Sequence, residues 1–102
     1  PVVRVEFGAR GEQWPAGAHQ VAPYAAQVFP EQFAVPSVNV RALEAERTFW
    51  EKATILHAWA HGGRLPAEGA RGSRHYYDLA MLARSPVRAR ALAAPDLLVR
   101  VA

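Results

Sequence analysis

A long amphipathic segment is the feature that most constrains how this chain can fold. From Glu44 to Ala60 neither glycine nor proline interrupts the sequence, and apolar residues recur at intervals of three and four. Acidic residues stand at the start of the segment and histidines near its end, as the helix dipole prefers, and Gly62 and Gly63 follow as a stop signal. The sequence therefore predicts one long helix here, with its apolar stripe facing the core.

The first forty residues predict short strands and loops. Val2 to Phe7 alternates apolar with charged residues, which is the pattern of a half-buried strand, and Ser37 to Ala42 alternates in the same way. A short helix is predicted from Tyr24 to Phe29, after a proline. The segment between the first strand and this helix is predicted to be a loop that carries Trp14, because four residues break regular structure there: Gly8, Gly11, Pro15 and Gly17.

Three more helices are predicted in the second half of the chain. A loop from Arg64 to Gly72 leads to Ser73, a plausible N-cap for a helix from Arg74 to Arg84. Further helices are predicted after Ser85-Pro86 and from Asp96 to Ala102. The fold class is therefore α+β, with a few N-terminal strands in residues 1–42 and a helical part in residues 43–102.

We take residues 1–102 as a single domain and expect it to be the C-terminal portion of a longer protein. Two short strands do not form an independently stable sheet, and the last apolar run, Leu97 to Val101, ends without a capping signal. No secretory signal and no apolar run long enough to cross a membrane are visible, so we expect a cytoplasmic protein that does not act at a membrane.

Composition excludes several kinds of chemistry. The chain has no cysteine, which excludes a disulfide framework, a thiolate metal site and a cysteine nucleophile. The formal charge of +3 and the sequence pI near 10.0 favour an anionic partner without identifying it.

Lys52 and Asp78 are the most unusual charged residues. All basic residues except Lys52 are arginines, and Lys52 lies in an apolar stretch from Phe49 to Leu56. Asp78, one of two aspartates, follows a tyrosine pair and precedes another apolar stretch. An ordinary ion pair between two packed helices and a catalytic pair both explain this placement, and the residue types leave both interpretations open.

Three further candidates are weaker. Arg74 and His75 stand at a predicted helix start, where an anion could bind, although a capped helix start followed by aromatic core residues has the same pattern. Glu6 is a carboxylate on the predicted first strand. His57 and His61 are spaced for one helix face, but no third ligand at a fixed spacing completes a zinc site, so no metal site is expected within these residues.

Two motifs resemble the nucleotidyltransferase AbiEii/AbiGii toxin family. The run Glu46 to Ala58 is similar to that family's helix with a glutamate-lysine pair ahead of a Leu-His-Ala ending. The run Ser73 to Leu82 is similar to the Arg-x-x-x-Asp-Leu helix that follows a variable loop, and Val3 to Arg10 looks like the family's strand with a carboxylate after alternating apolar residues. The resemblance extends from about Val2 to Val101.

The resemblance implies a nucleotidyltransferase-like fold, in which an N-terminal α/β palm carries metal-binding carboxylates and a helical part completes the site. It further implies transfer of a nucleotide from a nucleoside triphosphate, to an RNA acceptor in some members, and a cognate antitoxin. Lys52 would contact the triphosphate or neutralise charge in the transition state, and Asp78 would orient a substrate group or act as a base. Arg74 and His75 would bind substrate, and Glu6 would take the place of the palm's third carboxylate.

The family's combination of a Gly-Ser segment with an Asp-x-Asp pair, which holds the Mg²⁺, does not occur in this sequence. We expect them upstream, and we expect the 102 residues alone to be inactive. Two other hypotheses remain: a non-catalytic module that binds RNA or a protein through its arginines, and a symmetric homodimer formed through strands and apolar faces.

Overall fold

The computed structural model describes residues 1–5, 7, 11–62 and 69–102, with the side chains of residues 69–71 outside that description. Two antiparallel strands, β1 (Ala16–Val21) and β2 (Val38–Leu43), pair so that Ala16 lies opposite Leu43 and Val21 lies opposite Val38. Between the two strands come a short helix and one turn of 3-10 helix, and four helices follow. In chain order the helices are α1 (Tyr24–Val28), α2 (Ala45–Ala60), α3 (Gly69–Ala83), α4 (Val87–Leu92) and α5 (Pro95–Val101). The predicted α+β class is confirmed.

Helix α2 is the centre of the helical part, because α3, α4 and α5 all pack against it. Phe49 on α2 meets Val87 and Ala91 on α4 in the buried core. The indole nitrogen of Trp50 donates a hydrogen bond of 3.0 Å to the carbonyl oxygen of Ala91, which fixes α4 along α2. The apolar stripe predicted from the sequence therefore faces the core. None of the helices in the described ranges has the length and apolar character that a membrane span requires.

Two elements begin where the sequence predicted otherwise. The predicted strand from Val2 to Phe7 is wrong for the residues described, because Val2 to Val5 and Phe7 lie in no strand and their apolar side chains are exposed. The first strand is Ala16–Val21 instead, in the predicted loop. Pro15 lies just before that strand, where its missing N–H costs no ladder bond, and Gly17 lets the Glu44 carboxylate approach so closely that a Cβ would clash with it.

Helix α3 also begins early. Gly69 to Gly72, predicted to be a loop, are already helical, so Ser73 lies inside the helix and is not its N-cap. Packing of α3 against α2 outweighs the low helix propensity of the glycines. Residues 63–68 of the predicted loop lie outside the described residues. The predicted stop of α2 is confirmed at Gly62, whose φ of 90° is the left-handed conformation that ends helices.

A buried arginine ties the N-terminal loop to the helices. Arg47 on α2 is only 5% exposed, and its side chain donates to the Glu51 carboxylate (2.7 Å) and to the backbone oxygen of Trp14. Glu12 lies 3.7 Å from the same guanidinium and accepts a 2.6 Å hydrogen bond from Arg100 on α5. The sequence analysis did not single out Arg47, because its position in the helical pattern is that of an ordinary surface charge.

The described part of the chain leaves much apolar surface uncovered. Its radius of gyration is 16.5 Å, against about 13 Å for a compact domain of a hundred residues. One face of the two-stranded ribbon carries Val21, Val38 and Val40, each between 41% and 51% exposed. This face has the chemistry of a contact surface.

Candidate functional site

Lys52 and Asp78 meet across the interface between α2 and α3. Lys52 lies midway along α2 and Asp78 lies midway along α3, and Nζ of the lysine is 3.2 Å from Oδ2 of the aspartate. The lysine side chain is 22% exposed and the aspartate side chain is 43% exposed, so the pair stands at the edge of the interface and is open to solvent on the aspartate side. The structure thus brings together the two residues that the sequence marked as most unusual.

His75 completes the cluster. It precedes Asp78 by three residues on α3, so both side chains project from the same face of the helix. Nζ of Lys52 donates a hydrogen bond of 2.9 Å to Nδ1 of His75. Because an ammonium group has no acceptor, the imidazole must accept through an unprotonated Nδ1 and carry its proton on Nε2. Lys52 is therefore held between an imidazole and a carboxylate.

The cluster keeps donor capacity for a ligand. An ammonium group has three N–H donors, and within the described part of the chain two acceptors lie at hydrogen-bond distance from it, Nδ1 of His75 and Oδ2 of Asp78. No third acceptor from the described residues lies at that distance, so the remaining donor can meet an oxygen of a bound molecule. A partly exposed cation with a free donor direction can bind a phosphate oxygen and offset negative charge that develops on it.

Arg74 stands beside this cluster and not inside it. It is exposed, and it precedes Asp78 by four residues on α3, so the two side chains share one face of the helix. A guanidinium on this face can act as a bidentate donor for phosphate. Glu6, the remaining predicted site residue, lies outside the described residues.

The cluster does not have the composition of a magnesium site. Mg²⁺ requires oxygen ligands in octahedral geometry, whereas Asp78 contacts the ammonium group of Lys52, whose other partner is an imidazole. Elsewhere in the described ranges, no three histidine or acidic side chains come together in a way that could hold a metal ion. The rings of His57 and His61 do pack against each other, with centroids 4.3 Å apart and a tilt of 44°, but no third ligand from the described residues joins them. Binding of Mg²⁺ therefore stays a prediction.

Trp59 packs against this cluster, and it was not among the residues predicted from the sequence. Its ring centroid lies 5.5 Å from that of His75 and 6.5 Å from that of Tyr76, so the indole packs beside the imidazole that Lys52 contacts. A signal was present in the sequence: Trp59 follows Lys52 by seven residues, which places the two on the same face of α2 two turns apart.

A known protein family matches this chain. The model of a family described as nucleotidyl transferase AbiEii toxin, of type IV toxin-antitoxin systems, matches residues 1–102, the whole of the chain. Neither the comparison with curated proteins nor that with solved structures found a significant match.

Proposed function

The chain belongs to the AbiEii nucleotidyl transferase toxin family, and on that premise we propose that its α2–α3 cluster binds the triphosphate of a nucleotide substrate during nucleotidyl transfer. The observation that carries the proposal is the 3.2 Å contact between Lys52 and Asp78 at a solvent-open edge. Both residues stand in the two motifs that resemble the family, and they come from separate helices. The family's toxin-antitoxin context also implies an antitoxin as a partner.

In the proposed reaction, an acceptor hydroxyl attacks the α-phosphorus of a nucleoside triphosphate. A bond forms between the acceptor oxygen and phosphorus, the bond to the bridging oxygen breaks, and pyrophosphate leaves. Lys52 offsets the negative charge on the phosphate oxygens, and Arg74 contributes a second cation on the solvent side. Asp78 orients Lys52 or a substrate group, or takes the proton of the acceptor hydroxyl. The acceptor that fits the family resemblance is RNA.

The described cluster supplies cations, one carboxylate and one imidazole, and the proposal assigns the metal-binding carboxylates to a palm that precedes this chain. Glu6 is the candidate carboxylate nearest the N-terminus. In this division of roles the 102 residues bind triphosphate weakly and transfer nothing alone. Activity requires the palm joined to the helical part.

Affinity labelling at Lys52 tests the proposal directly, because Lys52 is the only lysine in the chain. A nucleoside triphosphate whose ribose has been oxidised to a dialdehyde forms a Schiff base with a nearby amine, and borohydride reduction makes the adduct permanent. We expect label on the peptide that contains Lys52, with protection by excess unmodified nucleotide. Peptide mapping separates this adduct from one on the N-terminal amine.

Two variants make the labelling specific. Arg74→Ala should reduce protection by the nucleotide, whereas Arg84→Ala removes another exposed arginine, just past the end of α3, and should leave protection unchanged. In the longer protein, Lys52→Ala and Asp78→Asn should each abolish transfer of labelled nucleotide to RNA. Labelling of Lys52 that excess nucleotide does not reduce would contradict the proposal.

The alternative function is a non-catalytic module that binds RNA or a protein. The exposed valine face of the ribbon favours it, as do Arg84 and Arg88, which are exposed on the helical part. RNA binding by such a module would weaken steeply with salt and would survive Lys52→Ala and Asp78→Ala. Loss of RNA binding in those two variants, with retention in Arg84→Ala, favours the nucleotidyltransferase site instead.

A further inference from the structure

We propose that His75 is a positioning residue, which fixes the Lys52 ammonium group beside Asp78, and that it does not itself bind the nucleotide. The effect of this role on nucleotidyl transfer rests on the function proposed above, whereas the contact between His75 and Lys52 exists without a bound nucleotide. The resemblance implied a substrate-binding role for His75. The structure directs its Nδ1 lone pair at Lys52 instead, at 2.9 Å.

Lys52 needs such a partner because its side chain is long. Four rotatable bonds let an unrestrained ammonium group sweep a wide arc, and a single contact with a partly exposed carboxylate does not select one position. His75 and Asp78 stand one helical turn apart on α3, so they hold Nζ from two directions, at 2.9 Å and 3.2 Å. Two acceptors on one rigid helix define one position for the charge.

The imidazole ring is itself supported from α2. The ring of Trp59 packs beside it with centroids 5.5 Å apart, and Trp59 follows Lys52 by two helical turns, about 10.5 Å along the axis. The His75 ring therefore contacts α2 at two places: it accepts a hydrogen bond from Lys52 and packs against Trp59. A ring restrained in this way keeps Nδ1 directed at the ammonium group, as the second ring nitrogen of a metal-bound histidine is oriented by its own partner.

The single lysine makes this geometry measurable. With ¹⁵N-labelled lysine the chain gives one side-chain ammonium signal, and a signal from a hydrogen-bonded ammonium group exchanges slowly with water. We expect the Lys52 signal to be visible and ordered in the wild type. In His75→Leu it should be lost to fast exchange, and in His75→Asn, whose amide oxygen can accept near the position of Nδ1, it should be retained.

His61→Leu is the matched control, since it removes an exposed histidine just past the end of α2 and leaves the cluster intact. Circular dichroism and thermal unfolding establish that each variant is folded. An unchanged Lys52 signal in a folded His75→Leu variant overturns the proposal. If His75→Leu does not fold, the tautomer of the wild-type protein decides: long-range ¹H–¹⁵N spectra that show the proton of His75 on Nδ1 overturn it, and a proton on Nε2 supports it.

A nucleotide titration separates this proposal from the proposed function. Adding a nucleoside triphosphate to the wild type should shift the Lys52 signal. His75→Leu should weaken nucleotide binding about tenfold, because the Lys52 side chain then becomes ordered only on binding and that loss of entropy reduces the binding free energy. His75→Asn and His61→Leu should bind like the wild type. If the Lys52 signal depends on His75 but does not shift with nucleotide, positioning by His75 is supported and the proposed function is contradicted. If nucleotide causes the same shift in His75→Leu as in the wild type, the proposed function is supported and positioning by His75 is contradicted.

Discussion

Lys52 and Asp78 form an ion pair of 3.2 Å between two helices that are separated in the sequence by residues 61–68. The pair is the contact that an ordinary helix-helix interface would contain and also the contact that a phosphate-binding site would contain. The partial exposure of the pair helps to distinguish these two roles, because ion pairs open to solvent contribute little to stability.

The first prediction concerns the energy of this pair. In a double-mutant cycle built from Lys52→Met, Asp78→Asn and the double variant, the coupling free energy should be below about 1 kcal/mol, because Asp78 is 43% exposed. Urea unfolding of the four proteins measures it. A coupling energy of about 3 kcal/mol or more would identify a structural pair and weaken the case for a site.

The second prediction concerns Arg47. Replacement by methionine keeps most of the aliphatic volume but removes the hydrogen bonds to Glu51 and to the Trp14 carbonyl, and it leaves Glu12 without one of its two arginines. We expect Arg47→Met to lower the free energy of unfolding by about 2 kcal/mol. Arg84→Met, at an exposed position, should change it by less than about 0.5 kcal/mol. Denaturant unfolding compares them, and equal effects would show that the buried arginine is not a structural tie.

The third prediction concerns the end of α2. Gly62 has a φ of 90°, and among the described residues no atom outside its chain neighbours lies near the position of an added Cβ, so the backbone conformation is what opposes a side chain there. Gly62→Ala should therefore destabilise the protein by about 1 kcal/mol. Gly62→Asn should cost less, since asparagine tolerates left-handed conformations. An alanine variant as stable as the wild type would mean that α2 ends in another way.

The fourth prediction concerns the pH dependence of stability. The Arg90 guanidinium, hydrogen-bonded to Glu46, lowers the pKa of that carboxyl below its usual value. A carboxyl whose pKa is lower in the folded state contributes stability above its unfolded pKa of about 4.5, and this contribution disappears as the pH falls through the folded pKa. Glu46→Gln should therefore be less stable than the wild type near pH 6, and the difference should shrink below pH 4.5.

Urea titrations of both proteins at several pH values check this fourth prediction. Glu31→Gln is a control of the same type at an exposed carboxylate in the 3-10 turn. A difference between Glu46→Gln and the wild type that grows as the pH falls would contradict the assigned cause.

Local sequence patterns predicted the elements whose structure depends on near neighbours. The unbroken spacing from Glu44 to Ala60 predicted α2 to within a residue, and Gly62 ends the helix as expected. Alternation predicted β2, and proline signals predicted α4 and α5. Lys52 and Asp78 stood out as site candidates because each is a rare residue in an apolar surrounding, and their functional roles stay predictions.

Contacts between distant segments decided the rest. The alternating segment Val2 to Val5 forms no strand in the structure, whereas β1 forms in a glycine- and proline-containing segment because β2 supplies its hydrogen bonds. Arg47 is buried because Glu12 and the Trp14 carbonyl come from a loop more than thirty residues away.

The geometry of the candidate site also depends on contacts between distant segments. The sequence by itself determined that α2 would be a helix with one lysine on it, since backbone hydrogen bonding and side-chain periodicity act over a few residues. Only the packing of α3 on α2 decided that Lys52 would face His75 and Asp78, because a side chain's partner across an interface depends on how two helices are placed and turned relative to each other, which no local pattern records.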